Sequence, residues 1–487
     1  MTEPRFIAVF DVGKTNAKLV LHDLAQRADL FVASEPNAVR HDGPYPHYDT
    51  DRLWSFLLAS LAACAAEHRV DAISVTTHGA CAALVDDREL VLPVLDYESA
   101  LPEETGPDYE RLRPGFEESF SPGLPCGLNL GRQLYWLERL HPDSFARARH
   151  ILLYPQYWVW RLTGVAASEV TSLGCHTDLW APASGTFSSL VRRAGWRMKF
   201  PPLHSAFAAV GMLRPEIAAQ AGLGERPVPV HCGIHDSNAS LLPHILGRQA
   251  PLSVVSTGTW VIALSVGGAM GGALARLDPA RDMLANVDAL GRPVPSSRFM
   301  GGREYDLLTG RSGAVPSPAE TGRVLDGAVM ALPTFSPGTG PFPSHTGRWT
   351  ADPASLSPGE RAAAASLYLA LMTGEMLGAM AAGGPTIVEG PFARNDLFLE
   401  ALGALTGRPV LASSGTTGTS AGAALLAAGE ADHGRDEVAY RQTTAPPDVA
   451  RRILGYGVRW RGLLDGASAK RSSRMAGRPD LDPVSSA

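Results

Sequence analysis

Two stretches, FIAVFDVGKTNAKLVL at residues 6–21 and LSVVSTGTWVIALSV at 252–266, share one layout: apolar strand, short polar turn, apolar strand. This repetition constrains the fold more than any other feature. A hairpin turn needs only glycine or asparagine. The first turn instead gathers Asp11, Gly13, Lys14, Thr15, Asn16 and Lys18, and the second holds Thr257, Gly258 and Thr259. Two such units, each opening its half of a 487-residue chain, imply two similar domains facing each other. A phosphate chain then fits between the turns, held by backbone N–H groups, hydroxyls and a lysine. Either turn taken alone reads equally as an ordinary polar connection.

The rest of the chain agrees with an α/β protein of two large domains. Its length is about three times the ~150 residues of a typical domain, and strand-like and helix-like stretches alternate. DAISVTTHG (71–79) and PVHCGIHD (229–236) read as strands ending in polar loops, and GRQLYWLERL (131–140) has helical spacing. PHILGRQAP (243–251), with two prolines and a glycine, is the best linker. It divides the chain into domains at 1–245 and 246–465. The small, polar stretch 466–487 has nothing to bury and is expected to be a disordered tail. Ala362 to Met380 is strongly apolar but interrupted by Thr373, Gly374 and Glu375, which suits a buried core helix better than a membrane span.

Charge and cysteine usage narrow the classes further. A net charge of −6 with mixed signs and no basic stripe argues against nucleic acid or an anionic membrane as partner. Five scattered cysteines without a C-x-x-C pair argue against a disulfide framework or zinc site and suit a reducing cytoplasm. The N-terminus runs straight into a strand, so no signal peptide is expected.

No G-x-x-x-x-G-K-[ST] and no G-x-S-x-G occurs, which removes the P-loop and weakens an esterase reading. The reacting group expected instead is Asp236, at a strand end in GIHDSNAS just before the linker. A carboxylate at a domain junction is placed to accept a proton from a hydroxyl attacking a γ-phosphate. The plainer alternative is that Asp236 caps a helix. His231 and His235 lie four apart on a strand-like run, where that offset does not suit a metal pair. SRFMGGREYDLL (297–308) reads as a tight turn before a helix rather than a lid.

From Phe6 to about Gly429 the chain resembles the FGGY family of carbohydrate kinases, whose fold is a duplicated actin-like (ribonuclease H-like) ATPase domain around a central cleft. FDVGKTNAKLVLHD and VVSTGTW resemble its two phosphate motifs, and THGACAALVD (77–86) its ketose loop. GRQLYWLER resembles its signature helix, with Gln133 where lysine is usual, and GIHDSNAS its catalytic segment. VEGPFARNDLFLEALGALTGRPV (388–410) followed by GTTGTSAGAALLAAG (415–429) resembles its adenosine segment, where small residues let backbone approach a purine closely.

The resemblance implies roles residue by residue. Asp236 is the general base, and Asp11 helps hold the Mg²⁺ shell. Gly13, Thr15, Asn16 and Lys18 line the phosphates of ATP with Thr257, Gly258 and Thr259; Lys14, where the family has threonine or serine, either adds a phosphate contact or points to solvent. Gly390, Asn395 and Ser420 edge the adenosine pocket, where Glu389-Gly390-Pro391 replaces the usual run of glycines. His78, Gly79, Asp96, Asn129 and His235 face the sugar. The plainer readings are a satisfied loop histidine for His78 and a solvated loop acid for Asp96.

The implied activity is ATP- and Mg²⁺-dependent phosphorylation of a ketose. His235-Asp236 with Asn129 resembles rhamnulose kinases, and His78-Gly79 the xylulose type. L-Rhamnulose or a similar deoxyhexulose is therefore the first choice, and a pentulose such as xylulose the second. Two rivals stand: an actin-like ATPase serving as scaffold or chaperone, and a sugar-binding protein without catalysis. The first has no need of Asp236, His78 and Asp96 together. A homodimer is left open.

Overall fold

The computed structural model describes residues 4–246, 248–268, 270–413, 418–430 and 439–476. The N-terminal half is built on β1 (Phe6–Val12), β2 (Asn16–Asp23), β3 (Ala28–Pro36), β4 (Ala72–Thr77), β5 (Ala209–Met212), β6 (Pro229–His231) and β7 (Ile234–His235). Its order is β5-β6-β4-β1-β2-β3, with β7 also pairing β4. The C-terminal half uses β8 (Leu252–Thr257), β9 (Val261–Val266), β10 (Met283–Val287), β11 (Pro293–Phe299), β12 (Thr386–Glu389), β13 (Val410–Ser413) and β14 (Tyr440–Thr443). Its order is β10-β11-β9-β8-β12-β13-β14.

The two sheets repeat one plan. In each, the opening hairpin is antiparallel, with Val12 opposite Ala17 and Thr257 opposite Val261. In each, the first strand also pairs in parallel with a later one, β4 or β12. A central strand flanked in this way has both faces covered, and Ile7 to Val12 are all buried.

The helices that matter for the site are α1 (Thr50–Glu67), α2 (Leu130–Leu140), α3 (Val170–Leu173), α4 (Asp236–Ile245), α5 (Gly301–Thr309), α6 (Pro358–Ala379), α7 (Asp396–Thr406), α8 (Thr419–Ala424) and α9 (Pro447–Ala476). Helix α6 opens on a capping box in which Ser357 and Glu360 satisfy each other's backbone N–H. It is long and apolar enough to cross a membrane, yet most of it is buried inside the protein. Helix α9 continues to Ala476, so the first half of the stretch expected to be a disordered tail is helical. Its Ala, Lys, Arg and Met residues favour helix, and no proline intervenes before Pro479; residues 477–487 lie outside those described.

One apolar cluster joins the halves, combining Ile7, Val9, Ala72 and Leu242 with Val254, Leu264, Ile387 and Ala423. Here α4 meets α8. Pro243 lies inside α4, not in a linker as its composition suggested, because the connecting stretch begins only after Ile245. Lacking an N–H, Pro243 leaves the Ala239 carbonyl without its helical donor. Gly422 of α8 packs against that carbonyl so closely that a methyl group would overlap it.

Candidate active site

The first turn is held open by its neighbours. Gly13 N donates to Asn16 O at 2.9 Å, while Asn37 donates from Nδ2 to Gly13 O at 2.8 Å and from N to Thr15 O at 2.9 Å. With the carbonyls so engaged, the side chains of Thr15 and Asn16 stay exposed, 3.2 Å apart through Asn16 Nδ2 and Thr15 Oγ1. Asp11 lies directly opposite Lys18 in the ladder. Its Oδ2 accepts from Ser420 Oγ at 2.7 Å, which brings α8 of the other half onto this turn. Burial pushes the Asp11 carboxyl above its usual range, against the hydrogen bond from Ser420 and the charge of Lys18.

Lys14 takes neither of its expected roles. Its Nζ pairs with the Asp96 carboxylate and lies 3.1 Å from Tyr48 Oη and 3.2 Å from Glu98 Oε2. It also sits over the rings of Tyr48 and Tyr97. A nearly buried carboxylate requires a cation, so Asp96 and Lys14 satisfy each other. Tyr48 Oη donates to Asp96 at 3.0 Å as well. Asp96 therefore stands behind Tyr97 as a support rather than as a solvated loop acid.

In the second turn Gly258 N donates to Trp260 O at 2.9 Å. Thr257 Oγ1 donates to Glu389 O and accepts from Phe392 N, the latter at 3.1 Å, so it secures the loop after β12. Gly390, at φ +81°, lies against the Thr257 carbonyl where no side chain fits. The Gly301-Gly302 pair begins α5, and Gly302 N donates to Thr259 O at 3.2 Å beneath the turn. Asn395 is the N-cap of α7: its Oδ1 accepts from Phe398 N at 3.0 Å and its Nδ2 donates to Ser366 at 2.9 Å. That commitment removes Asn395 from the expected adenosine contacts. Ser420 lies against Asp11 instead of edging a purine pocket. Residues 415–417 of the expected adenosine loop lie outside those described.

Between the halves is a cavity of about 380 Å³. One wall carries His78, Gly79, Tyr97, His235 and Asp236, and the other carries residues of β8 to β11. Asp236 is the first residue of α4, preceded by its N-cap His235. Its Oδ1 accepts from Ser237 N at 2.6 Å and lies 3.2 Å from His235 Nε2. The helical and catalytic readings of Asp236 are thus compatible. The side chain is 32% exposed, yet the surrounding walls push its carboxyl above the usual range, against the opposing pull of His78.

Burial drives His78 and His235 down to about 4, so both rings are neutral near pH 7. His78 Nδ1 lies 3.0 Å from Gly79 O and must be its donor, which leaves Nε2 as an acceptor. His78 Nε2 and His235 Nδ1 are buried without a protein partner.

Asn129 is not among the cavity residues. Fully buried, it accepts from Leu124 N at 2.8 Å and donates to Ser121 Oγ, Pro122 O and His176 O. It offers no group to a substrate and anchors the loop before α2. His231 Nδ1 engages Phe207 O at 2.8 Å. Among the described residues no three His, Cys, Asp or Glu side chains converge on a metal position. The cavity also includes Cys175, His176, Asp282, Asn286 and Arg298, which sequence reasoning missed. None of them stands in a recognisable motif. Ser297 and Arg298 open the 297–308 stretch, which sequence spacing marks only as a turn before a helix.

The comparisons with known proteins agree across the chain. Residues 6–243 match the N-terminal domain of the FGGY family of carbohydrate kinases, and residues 249–436 match the FGGY C-terminal domain. A carbohydrate kinase from Novosphingobium aromaticivorans is 38% identical, covering 96% of this chain and all of that one, with a TM-score of 0.88. A xylulose kinase from Rhodospirillum rubrum superposes with a TM-score of 0.76 at 20% identity, over 96% of this chain and 99% of that one, a likeness of fold. An L-fuculokinase from Salmonella typhi is 28% identical over 273 residues. That match spans 53% of this chain and about half, 56%, of the curated relative's length.

Proposed function

The chain belongs to the FGGY family of carbohydrate kinases, and from that premise we propose that it transfers the γ-phosphoryl group of ATP to a hydroxyl of a ketose in the cytoplasm, with Asp236 as general base. The single observation that carries this reading is the placement of Asp236, a carboxylate of raised pKa, in the inter-domain cavity beside two neutral histidines. The acceptor-binding domain spans 1–245 and the nucleotide-binding domain 246–465. All five cysteines are free, as suits a reducing compartment.

The chemistry follows from the geometry. The sugar's hydroxyls, which lose their hydration on entry, pair again with polar groups of the wall that carries His78, Tyr97 and Asp236. Asp236 accepts the proton of the attacking hydroxyl while the Gly13–Asn16 and Thr257–Thr259 turns hold the phosphates of ATP in line. Asp11 fits an Mg²⁺ role, being a buried carboxylate with a raised pKa that a cation would relieve. When bound, the ion would neutralise charge on the phosphates. Closure of the two halves would exclude water and limit wasteful hydrolysis.

Among acceptors, L-rhamnulose or a related deoxyhexulose is the first choice and a pentulose such as xylulose the second. The fuculokinase relative supports a deoxyhexulose. The test is coupled ADP release with Mg²⁺-ATP across ketoses, aldoses and sugar alcohols, repeated with Asp236→Asn. Turnover that rises sharply with one ketose and falls by roughly 10²–10⁴ in the variant fits the reading. Sugar-independent ATP turnover, unchanged in the variant, would assign the chain to the scaffold class instead.

A further inference from the structure

The wall of the cavity opposite Asp236 is polar without an assigned purpose. Strands β10 and β11 present Asn286, Ser296, Ser297 and Arg298 to it, and Asp282 precedes them. Arg298 is the one lysine or arginine among the cavity residues described. The three histidines there, at 78, 176 and 235, are each held near 4 by burial and are neutral at pH 7. Any full positive charge in the cavity therefore comes from Arg298.

The guanidinium is also posed. Its Nε lies 3.4 Å from Asp282 Oδ1, and its carbon sits 5.0 Å above the ring of Trp260, the residue that closes the second phosphate turn. Asp282 is fixed in turn by Gly340 N, which donates to Oδ2 at 3.0 Å. These contacts leave the two terminal amino groups of Arg298 with no protein acceptor among the described residues, on a side chain only 24% exposed. An orphaned pair of N–H donors in fixed fork geometry matches two oxygens of one anion. Arg298 thus lines the cavity that holds Asp236 and packs on Trp260, next to the second turn.

We propose that Arg298 is an oxyanion-binding residue, supplied to the acceptor cavity by the C-terminal domain. The proposal rests on the kinase reading above. The anion has two sources of identical chemistry: the phosphoryl group in transfer, or a carboxylate at the far end of an acidic acceptor. Asp282 offsets part of the charge, so the fork geometry more than the net charge selects the ligand.

The experiment compares Arg298→Gln and Arg298→Lys with the unaltered full chain. It measures ADP release with Mg²⁺-ATP over neutral ketoses and sugar acids of the same carbon number, with thermal melts to confirm folding. If the anion is the phosphoryl group, Arg298→Gln lowers kcat by roughly 10²–10³ with every acceptor while KM for ATP changes little. If it is the acceptor's carboxylate, KM rises about tenfold or more for the sugar acids alone. In either case Arg298→Lys, keeping charge without the fork, recovers only part of the loss. Kinetics within twofold for all acceptors, whatever the melting temperature, overturn the proposal. So does a KM effect confined to neutral ketoses, because that marks a hydroxyl contact. Should the unaltered chain turn over no acceptor, the kinase reading itself fails. Arg298 is then judged by titration with inorganic phosphate, which Arg298→Gln must bind at least about tenfold more weakly for the proposal to stand.

Discussion

Gly79→Ala probes the acceptor wall through a single methyl group. A Cβ at Gly79 would lie 2.7 Å from His235 Nε2 and 3.0 Å from its Cδ2. Ordinary carbon contacts begin near 3.5 Å, so the imidazole must recede by about 0.8 Å. It cannot do so freely. The ring is only 7% exposed, and the His235 backbone N–H is tied to Thr171 Oγ1 at 3.0 Å. Thr171 Oγ1 in turn donates to Glu169 Oε2 at 2.5 Å. The retreat therefore falls on the 3.2 Å contact between His235 Nε2 and Asp236. A misplacement near 1 Å in a reacting constellation costs on the order of 10²-fold, equivalent to about 2.7 kcal/mol of transition-state stabilisation. The backbone φ at Gly79 is not in the left-handed region, so the loss comes from the contact and not from strain. We expect kcat/KM for the ketose to fall about a hundredfold while ATP affinity, measured by titration calorimetry, stays within twofold. A variant with kcat/KM within threefold of the parent would refute the argument that His235 positions Asp236.

The acid limb of kcat/KM should lie above the ~3.9 of an ordinary aspartate, because Asp236 must be ionised and burial raises its pKa. His78 and His235, already neutral above about 4, should add no transition near 6.5; a pH–rate profile with a limb there would mean that one of them titrates. Asn129→Ala should act on stability rather than chemistry. Removing its buried hydrogen bonds should lower the unfolding free energy by roughly 2–3 kcal/mol in a denaturant titration, whereas a change in sugar KM with no loss of stability would restore it to the substrate contacts. Gly422→Ala should push α8 off α4 and destabilise by about 1–3 kcal/mol in a denaturant titration, and an unchanged midpoint would show that the helices part without cost.

The sheet plan was legible because each opening hairpin is an apolar run on both sides of a glycine-containing turn, and the chain repeats it. For Asp236 the sequence left two duties open, the start of a helix and a cleft carboxylate, and the fold gives it both positions. Asn129 and Asn395 misled because asparagine before a helix serves the backbone as readily as a ligand, and sequence spacing does not separate the two uses. Lys14 and Asp96 find each other across 82 positions, a pairing that only the folded chain reveals. The cavity's second wall comes from β10 and β11, whose polar residues carry no motif. Only the packed domains turn them toward Asp236.

Where Gly422 lies against the Ala239 carbonyl, backbone meets backbone. At this one contact no side-chain rotamer has to rearrange, although the apolar cluster around it must give as the halves turn. The leverage of the contact is short. Asp236 stands three residues from Ala239 on α4, and Ser420, bonded to Asp11, stands two residues from Gly422 on α8. At 1.5 Å per residue these arms are about 3–5 Å, so a turn of about 10° moves either group by less than ~1 Å. The same turn carries a side chain some 25 Å out through about 4 Å. A contact set this close to the reacting groups lets the cleft mouth travel while Ser420 stays near Asp11.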